Sequence, residues 1–153
     1  MHFPESPILF LDIDGVMNTT DSALCYRGGH VFTRDAVEAL RWIVRGTDCK
    51  IVISSTRRRE GVQAMRALFT RKGLVAEAAR IIGGTPCFVE HDTDEWREDE
   101  IEAWLDGHGD KGKFAILDDK PFSVPMRKYL ILTDQDSGLT MALARRVAVL
   151  LRG

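Results

Sequence analysis

The sequence predicts an α/β fold in which helices cover both faces of a parallel sheet. The first observation is a set of four short apolar segments: ILFLDI at 8–13, KIVISS at 50–55, KFAIL at 113–117 and YLILT at 129–133. They lack the two-residue alternation of a strand with one wet face, and therefore predict strands buried on both faces. The second observation is that segments with helical spacing alternate with these strands, which is typical of a parallel sheet between helices.

The helices can be placed from their caps and their apolar spacing. Thr33 is a good N-cap for a helix that Gly46 is placed to end. A basic helix is predicted from about residue 60 to residue 72, ending at Gly73, and Thr140 is expected to cap the last helix. Three apolar residues predict one further helix within the acidic stretch 90–110: Ile101, Trp104 and Leu105.

The remaining segments carry weaker patterns. Residues 74–89 predict one short strand, at Ile81-Ile82, closed by Gly83-Gly84. The stretch 15–32 is rich in turn residues, and Gly28-Gly29 within it favours a hairpin or flap. Because no repeat, low-complexity stretch or linker interrupts the chain, residues 1–153 are predicted to form a single domain.

Composition narrows the classes of function. The net charge of −2 excludes a broad basic surface, so any nucleic-acid contact needs a local basic cluster. Three widely spaced cysteines, Cys25, Cys49 and Cys87, lack the spacing of a zinc site and are expected to be reduced thiols. The first residues lack a signal-peptide pattern, and no segment approaches the roughly 20 apolar residues of a membrane helix. We therefore expect a cytoplasmic protein.

Chemically active residues follow the predicted strands at the point where each strand ends. In open parallel sheets the carboxyl ends of the strands lie at one edge, where ligands bind. The residues that this rule brings together are Asp12 and Asp14 after the first strand, Ser54, Ser55 and Thr56 after the second, and Asp118 and Asp119 after the third. Four converging carboxylates repel one another unless a cation lies among them, and hard oxygen ligands in a phosphate-handling site favour Mg²⁺.

These motifs resemble those of the haloacid dehalogenase (HAD) superfamily of phosphatases. LFLDIDGV is similar to its first motif, IVISS to its second and ILDD to its fourth, in the same order along the chain. A wider set, which includes SSTR, WREDEIEAWL and LTDQDSGLT, resembles the HAD domains of Swiss Army knife RNA-repair proteins over nearly the whole sequence. The resemblance implies a HAD-like (Rossmann-like) fold and a phosphohydrolase activity that depends on Mg²⁺.

The resemblance also implies a role for each acid. Asp12 would attack phosphorus and form an aspartyl phosphate, because a carboxylate is a competent nucleophile. Asp14 would protonate the leaving oxygen and then deprotonate the hydrolytic water, and Gly15 would let the backbone turn sharply beside the ligand. The family pattern places the metal on a carboxylate oxygen of Asp12, the backbone carbonyl of Asp14, and the late acids Asp118 or Asp119.

The phosphate contacts leave alternatives open. Ser54 is expected to donate a hydrogen bond to the transferring phosphoryl group, with Ser55 as its rival because the end of the strand is uncertain. For the basic third motif, Arg97 is favoured by the subfamily pattern, with Lys120 as the second choice. The alternative interpretation of Arg97 is a surface residue that pairs with Glu100 or Glu102.

The substrate is expected to be bulky, because the spacing of the motifs leaves room for a flap but not for a folded cap domain. Arg57, Arg58 and Arg59 form a basic run beside the second motif. They suit either a solvated helix start or a landing patch for a polyanion, and Arg57 is close enough to Ser54 to contact the reacting phosphate. The leading prediction is a phosphatase of polynucleotide 3′ ends or nucleotides. The alternatives are a small-molecule phosphate monoester phosphatase and a non-enzymatic HAD-like binding module.

Overall fold

The computed structural model describes residues 6–20, 31–87, 96–108 and 112–153. Within these residues five strands form one parallel sheet in the order β3-β2-β1-β4-β5. The strands are β1 (Ile8–Leu11), β2 (Lys50–Ile53), β3 (Ile81–Gly84), β4 (Phe114–Asp118) and β5 (Leu130–Leu132). All four segments predicted from their apolar runs are therefore strands, and so is the short segment at Ile81-Ile82.

Helices connect the strands, as the parallel arrangement requires. They are α1 (Arg34–Thr47), α2 (Val62–Arg71), α3 (Val75–Ala78), α4 (Arg97–His108), α5 (Val124–Arg127) and α6 (Met141–Arg152), with a 3₁₀ helix at Thr56–Glu60. Two predicted caps are present: Thr33 accepts a hydrogen bond from the Ala36 amide, and Thr140 accepts one from the Leu143 amide. None of the helices in the described ranges is long and apolar enough to cross a membrane.

Apolar residues on both faces of the sheet are buried. On one face, Leu9 and Leu11 of β1 belong to a core that includes residues of α1, α2 and α6. On the other face, Phe10 packs with residues of α4 and α5, and its ring meets that of Trp104 edge to face at 5.4 Å. Alternate residues of one strand are thus buried on opposite sides, which confirms the predicted α/β architecture with helices on both faces.

The register of the central strands explains why the site forms at one edge. Leu11 pairs with Ile53 of β2 and with Leu117 of β4. The residues that come next along the three segments are Asp12, Ser54 and Asp118, which therefore lie side by side at the carboxyl ends of their strands.

Two predicted element ends were wrong, those of the first helix and of the short strand at Ile81-Ile82. α1 continues through Gly46 to Thr47 and ends at Asp48, which has a φ of 55°. Gly46 instead leaves room for Arg152, whose guanidinium donates to the Gly46 carbonyl. A Cβ on Gly46 would lie 2.6 Å from that guanidinium.

The basic helix predicted from about residue 60 to residue 72 is present as α2, which ends at its C-cap Lys72, just before Gly73. The arginine run before it forms the separate 3₁₀ helix. The short helix α3 was not predicted, and Gly83-Gly84 lies inside β3 instead of closing it. The predicted flap at Gly28-Gly29 lies outside the described residues, and the prediction of one domain over 1–153 stays a prediction.

Candidate active site

Three carboxylates meet at the carboxyl edge of the sheet. Oxygen atoms of Asp12, Asp118 and Asp119 all lie within 4.8 Å of one another. Asp12 directly follows β1, Asp118 ends β4 and Asp119 follows it, so the sheet register and the βα turns bring them together. Hard carboxylate oxygens at this spacing fit a divalent cation such as Mg²⁺. The carboxylates of these three residues are therefore compatible with metal binding.

Two of these acids are buried, and both contact the guanidinium of Arg97. The side chains of Asp12 and Asp118 are 4% and 0% exposed. Nη1 of Arg97 donates to Asp12 Oδ2 at 3.0 Å and to the two Asp118 oxygens at 3.0 and 2.9 Å. The surface alternative for Arg97 is wrong, since its own side chain is only 6% exposed. The positive charge of Arg97 partly offsets the repulsion between the Asp12 and Asp118 carboxylates.

Burial shifts the protonation of these acids. It is the main reason why the pKa of Asp12 lies well above its usual range, and the charges of Asp118 and Asp119 add to the rise while Arg97 opposes it. Burial also raises the pKa of Asp118 to about 6, again against the effect of Arg97. Ionising both carboxylates therefore costs free energy. This is expected of a site that an added cation would stabilise.

The turn after β1 packs directly against the acidic cluster. Gly15 has a φ of +80°, and a Cβ there would lie 2.4 Å from Asp119 Oδ2, so no other residue fits without displacing that carboxylate. The Asn18 side chain accepts from the Gly15 amide at 3.0 Å, and the Thr133 hydroxyl donates to the Gly15 carbonyl at 2.7 Å. The turn is therefore held from both sides.

Asp14 lies at the solvent side of the same turn, with a side chain that is 53% exposed. Its carboxylate accepts from Asn18 Nδ2 at 2.9 Å, and the Arg57 guanidinium approaches both oxygens at 3.4 Å. Its carboxylate is outside the cluster of three. Asp14 as a metal ligand through its backbone carbonyl stays a prediction.

The two serines after β2 differ in their contacts. Ser55 is the N-cap of the 3₁₀ helix, and its hydroxyl accepts from the Arg57 amide at 3.2 Å. Ser54 is fully buried, and its hydroxyl has no hydrogen-bond partner among the described residues. A buried hydroxyl without a partner is unusual and costly. Ser54 thus has a free donor at the edge where Asp12 and Asp118 lie.

The two candidates for the basic third motif also differ in what they contact. Arg97, at the start of α4, reaches Asp12 across 85 residues of sequence. Lys120 contributes its backbone amide, which donates to Asp118 Oδ1 at 3.0 Å. Both residues therefore support the same acidic cluster, Arg97 through its side chain and Lys120 through its backbone.

The three arginines after the second motif do not form one surface patch, so the landing-patch prediction was wrong for Arg58. Arg57 pairs with Asp14, and Arg59 is exposed, with a guanidinium 3.3 Å from the Cys87 sulfur. The Arg58 side chain is only 4% exposed and pairs with Glu100 at 2.6 Å. A 3₁₀ helix has three residues per turn, so three successive side chains point in three different directions, and this separates the roles of the arginines.

Sequence reasoning missed three residues that organise the site: Asn18, Thr133 and Glu100. Thr133 follows β5 and could have been found by the same strand-end rule as the others. Asn18 lies four residues after Asp14, within a turn whose conformation is not readable from composition. Glu100 lies in an acidic stretch, a pattern that predicts only a surface partner for Arg97.

The parallel sheet, the carboxylates at the ends of β1 and β4 and the buried arginine define a HAD-type α/β domain. Comparison with known families agrees: the family described as the HAD domain in Swiss Army Knife RNA repair proteins matches residues 8–144, and the chain belongs to this family. Membership implies phosphohydrolase activity and a phosphorylated substrate, and HAD domains typically use a divalent metal. No curated protein and no solved structure matches the chain.

Proposed function

We propose that this protein is a Mg²⁺-dependent phosphohydrolase that works through an aspartyl phosphate on Asp12. The observation that carries the proposal is the meeting of Asp12, Asp118 and Asp119 within 4.8 Å, beside the buried Arg97. Buried carboxylates at this density are expensive unless a function requires them, which supports a catalytic site over a non-enzymatic binding module.

The metal would be held by the three clustered carboxylates and by the backbone carbonyl of Asp14. When bound, Mg²⁺ supplies positive charge that lets the Asp12 carboxylate and a phosphate dianion approach each other. The raised pKa of Asp12 and of Asp118, caused mainly by burial, is consistent with this role, because a bound cation would offset the cost of ionising buried carboxylates.

The protein residues then divide the proton and phosphoryl transfers. A carboxylate oxygen of Asp12 attacks phosphorus, the bond from phosphorus to the ester oxygen breaks, and protonated Asp14 gives its proton to the leaving oxygen. The resulting Asp14 carboxylate takes a proton from water, which attacks the aspartyl phosphate and releases inorganic phosphate and Asp12. The half-exposed position of Asp14, held by Asn18 and Arg57, suits exchange with both the leaving group and water.

Charge on the phosphoryl group would be stabilised by Ser54 and Arg97. The Ser54 hydroxyl is a donor without a partner among the described residues, so it can bond the phosphoryl oxygens without breaking an existing contact. Arg97 already touches both Asp12 and Asp118, so its positive charge lies beside the carboxylate that would carry the phosphoryl group. Ser55, Arg57 and Lys120 remain the candidates for additional contacts to the substrate.

The proposed substrate is a phosphorylated nucleic-acid end or a nucleotide. The family includes domains of RNA repair proteins, and the described residues between β1 and β2, 12–20 and 31–49, contain α1 and form no folded cap domain. A cavity of about 290 Å³ is lined by Asp14, Gly15 and Asp119 and by four residues with uncharged polar side chains: Asn18, Thr19, Thr20 and Gln135. Uncharged hydrogen-bonding side chains of this kind suit the hydroxyl groups of a ribose. They also suit a small sugar phosphate, which keeps the small-molecule phosphatase as the second candidate.

The purified protein should be tested with Mg²⁺ and with EDTA on an aryl phosphate, on nucleotides, on sugar phosphates and on a 3′-phosphorylated oligonucleotide. We expect hydrolysis that EDTA abolishes and Mg²⁺ restores, with the oligonucleotide among the best substrates. Full activity in EDTA would contradict the metal-dependent mechanism. A preference for sugar phosphates over every nucleotide and oligonucleotide would favour the second candidate.

The basic residues can be tested separately. Of the three successive arginines, Arg58 is buried and Arg57 pairs with Asp14. Arg59 is therefore the one to test for contact with a backbone phosphate. Arg59→Gln should raise KM for the oligonucleotide and reduce its salt dependence, with little change for the aryl phosphate. An unchanged salt dependence would mean that Arg59 does not contact the strand.

A further inference from the structure

Arg58 is a buried cation that lies outside the acidic cluster, and its guanidinium joins three segments of the chain. Nη1 donates to the Ser55 carbonyl at 2.8 Å, and Nε donates to the Thr85 carbonyl, just after β3, at 2.9 Å. Nη2 pairs with Glu100 of α4 at 2.6 Å. One side chain thus connects the turn after β2, the end of β3 and helix α4.

The packing around Arg58 leaves little freedom for it. The Arg58 and Glu100 side chains are 4% and 1% exposed. A Cβ on Gly84 would lie 2.9 Å from the Arg58 Cβ and 3.3 Å from the Ile53 carbonyl oxygen, so a glycine is needed where the arginine crosses β3. The ion pair therefore occupies a site shaped for it.

Helix α4 relates this ion pair to the catalytic residues. Arg97 and Glu100 are three residues apart, a spacing that places both on the same face of the helix. Arg97 contacts Asp12 and Asp118, and Glu100 contacts Arg58. At the other side of the helix start, Glu98 accepts from the amide and the hydroxyl of Ser123, which follows β4. The first turn of α4 is thus fixed to the sheet edge at both flanks.

A buried ion pair is a poor way to gain stability, because the cost of removing two charges from water offsets their attraction, and apolar replacements are often as stable. It does impose one geometry on the segments that it joins. We propose that Arg58 and Glu100 are positioning residues. They fix the position of α4 relative to the turn after β2, so that Arg97 and Ser54 contact the same phosphoryl group. This inference rests on the proposed phosphohydrolase function.

The test removes both charges together, so that no buried charge is left unpaired. The variant is Arg58→Met with Glu100→Met, and the matched control is Arg34→Met with Glu38→Met, an exposed ion pair on α1 of the same residue types. With an aryl phosphate and Mg²⁺, the Arg58/Glu100 variant should lose roughly 10–100-fold in kcat, the range expected for a displaced catalytic group. Its KM should change by less than about threefold and its thermal midpoint little, and the control should resemble wild type.

A double-mutant cycle with Arg97 decides whether the effect acts through that residue. In an Arg97→Met background, the Arg58/Glu100 change should cause little further loss of kcat, because the group that it positions is already absent. Losses that multiply would overturn the proposal, and so would an unchanged kcat in the Arg58/Glu100 variant. If the double variant does not fold, Arg58→Lys provides the same cycle: it keeps the buried ion pair but loses the guanidinium fork that joins the three segments, and wild-type kcat in it would overturn the proposal equally.

An NMR measurement separates this proposal from the proposed function. The Arg97 Nε–H signal of ¹⁵N-labelled protein, assigned by its loss in Arg97→Met, should shift or broaden in the Arg58/Glu100 variant and stay unchanged in the control. If wild-type protein hydrolyses no phosphate ester, the proposed function fails and this signal alone decides the positioning role. An Arg97 signal identical to wild type in the folded variant would reject it.

Discussion

Substitution of Gly15 by alanine tests both the tight turn after β1 and the metal-binding role of Asp119. Gly15 has a φ of +80°, a conformation that costs an L-residue about 1–2 kcal/mol. The added Cβ would also lie 2.4 Å from Asp119 Oδ2, so this carboxylate would have to move by about 1 Å to reach an ordinary contact distance. Asp119 is only partly buried and can move, so most of the lost stability should come from the backbone.

Gly73 offers a matched control. Its φ is +82°, and a Cβ there would meet nothing within 4 Å. Gly73→Ala should therefore suffer the same backbone strain as Gly15→Ala, without displacing a carboxylate. For a domain of this size, about 1–2 kcal/mol corresponds to a fall of roughly 2–8 °C in the thermal midpoint, and we expect it for both variants in EDTA.

The two variants should separate when Mg²⁺ is added. A ligand that binds only the folded state stabilises it by about 2.7 kcal/mol at one hundred times its Kd. Thermal unfolding over a Mg²⁺ titration should show this rise for wild type and for Gly73→Ala, and a much smaller rise for Gly15→Ala. If Gly15→Ala keeps the full Mg²⁺-dependent rise, the reasoning that places Asp119 in the metal site and against Gly15 is refuted.

Three further predictions concern the acids and Ser54. Asp12→Asn should abolish turnover on an aryl phosphate while leaving the thermal midpoint in EDTA unchanged or higher, because it removes a charge that burial and Asp118 disfavour; a fully active variant would mean that the nucleophile is elsewhere. Asp118 binds its proton more tightly in the folded protein, with a pKa of about 6 against 3.8, so the stability of metal-free protein should fall as pH rises from 4 to 6. Urea unfolding in EDTA should show a smaller fall for Asp118→Asn, and equal slopes would count against the raised pKa. Ser54→Ala should lower kcat by about 10²–10³-fold with almost no loss of stability, since the hydroxyl has no partner among the described residues; unfolding and kinetic measurements that show a stability loss with normal kcat would assign Ser54 a structural role instead.

Much of this protein could be read from the sequence, because short-range patterns encode burial. The apolar runs before Asp12, Ser54 and Asp118 predict doubly buried strands, and parallel register then places those three residues at one edge. The helix caps at Thr33 and Thr140 are equally local, since each depends on an amide three residues away. These features required no knowledge of distant segments.

The tertiary structure decided the direction of the long charged side chains. Arg57, Arg58 and Arg59 are identical in type and adjacent in sequence, yet one pairs with Asp14, one is buried against Glu100 and one is exposed. Their partners lie 43, 42 and 28 residues away along the chain. A guanidinium on a flexible stem takes the direction in which its desolvation is best compensated, and that depends on groups that only folding brings near.

The same reason explains the two acids of the first motif. Asp12 and Asp14 are separated by one residue, but Asp12 is buried beside Arg97 and Asp14 is half exposed beside Arg57. The turn at Gly15, with its positive φ and its contact to Asp119, sets this difference. Local sequence patterns placed Asp12, Ser54 and Asp118 at one edge of the sheet, and packing between distant segments determined which other residues join them and which atoms each residue presents there.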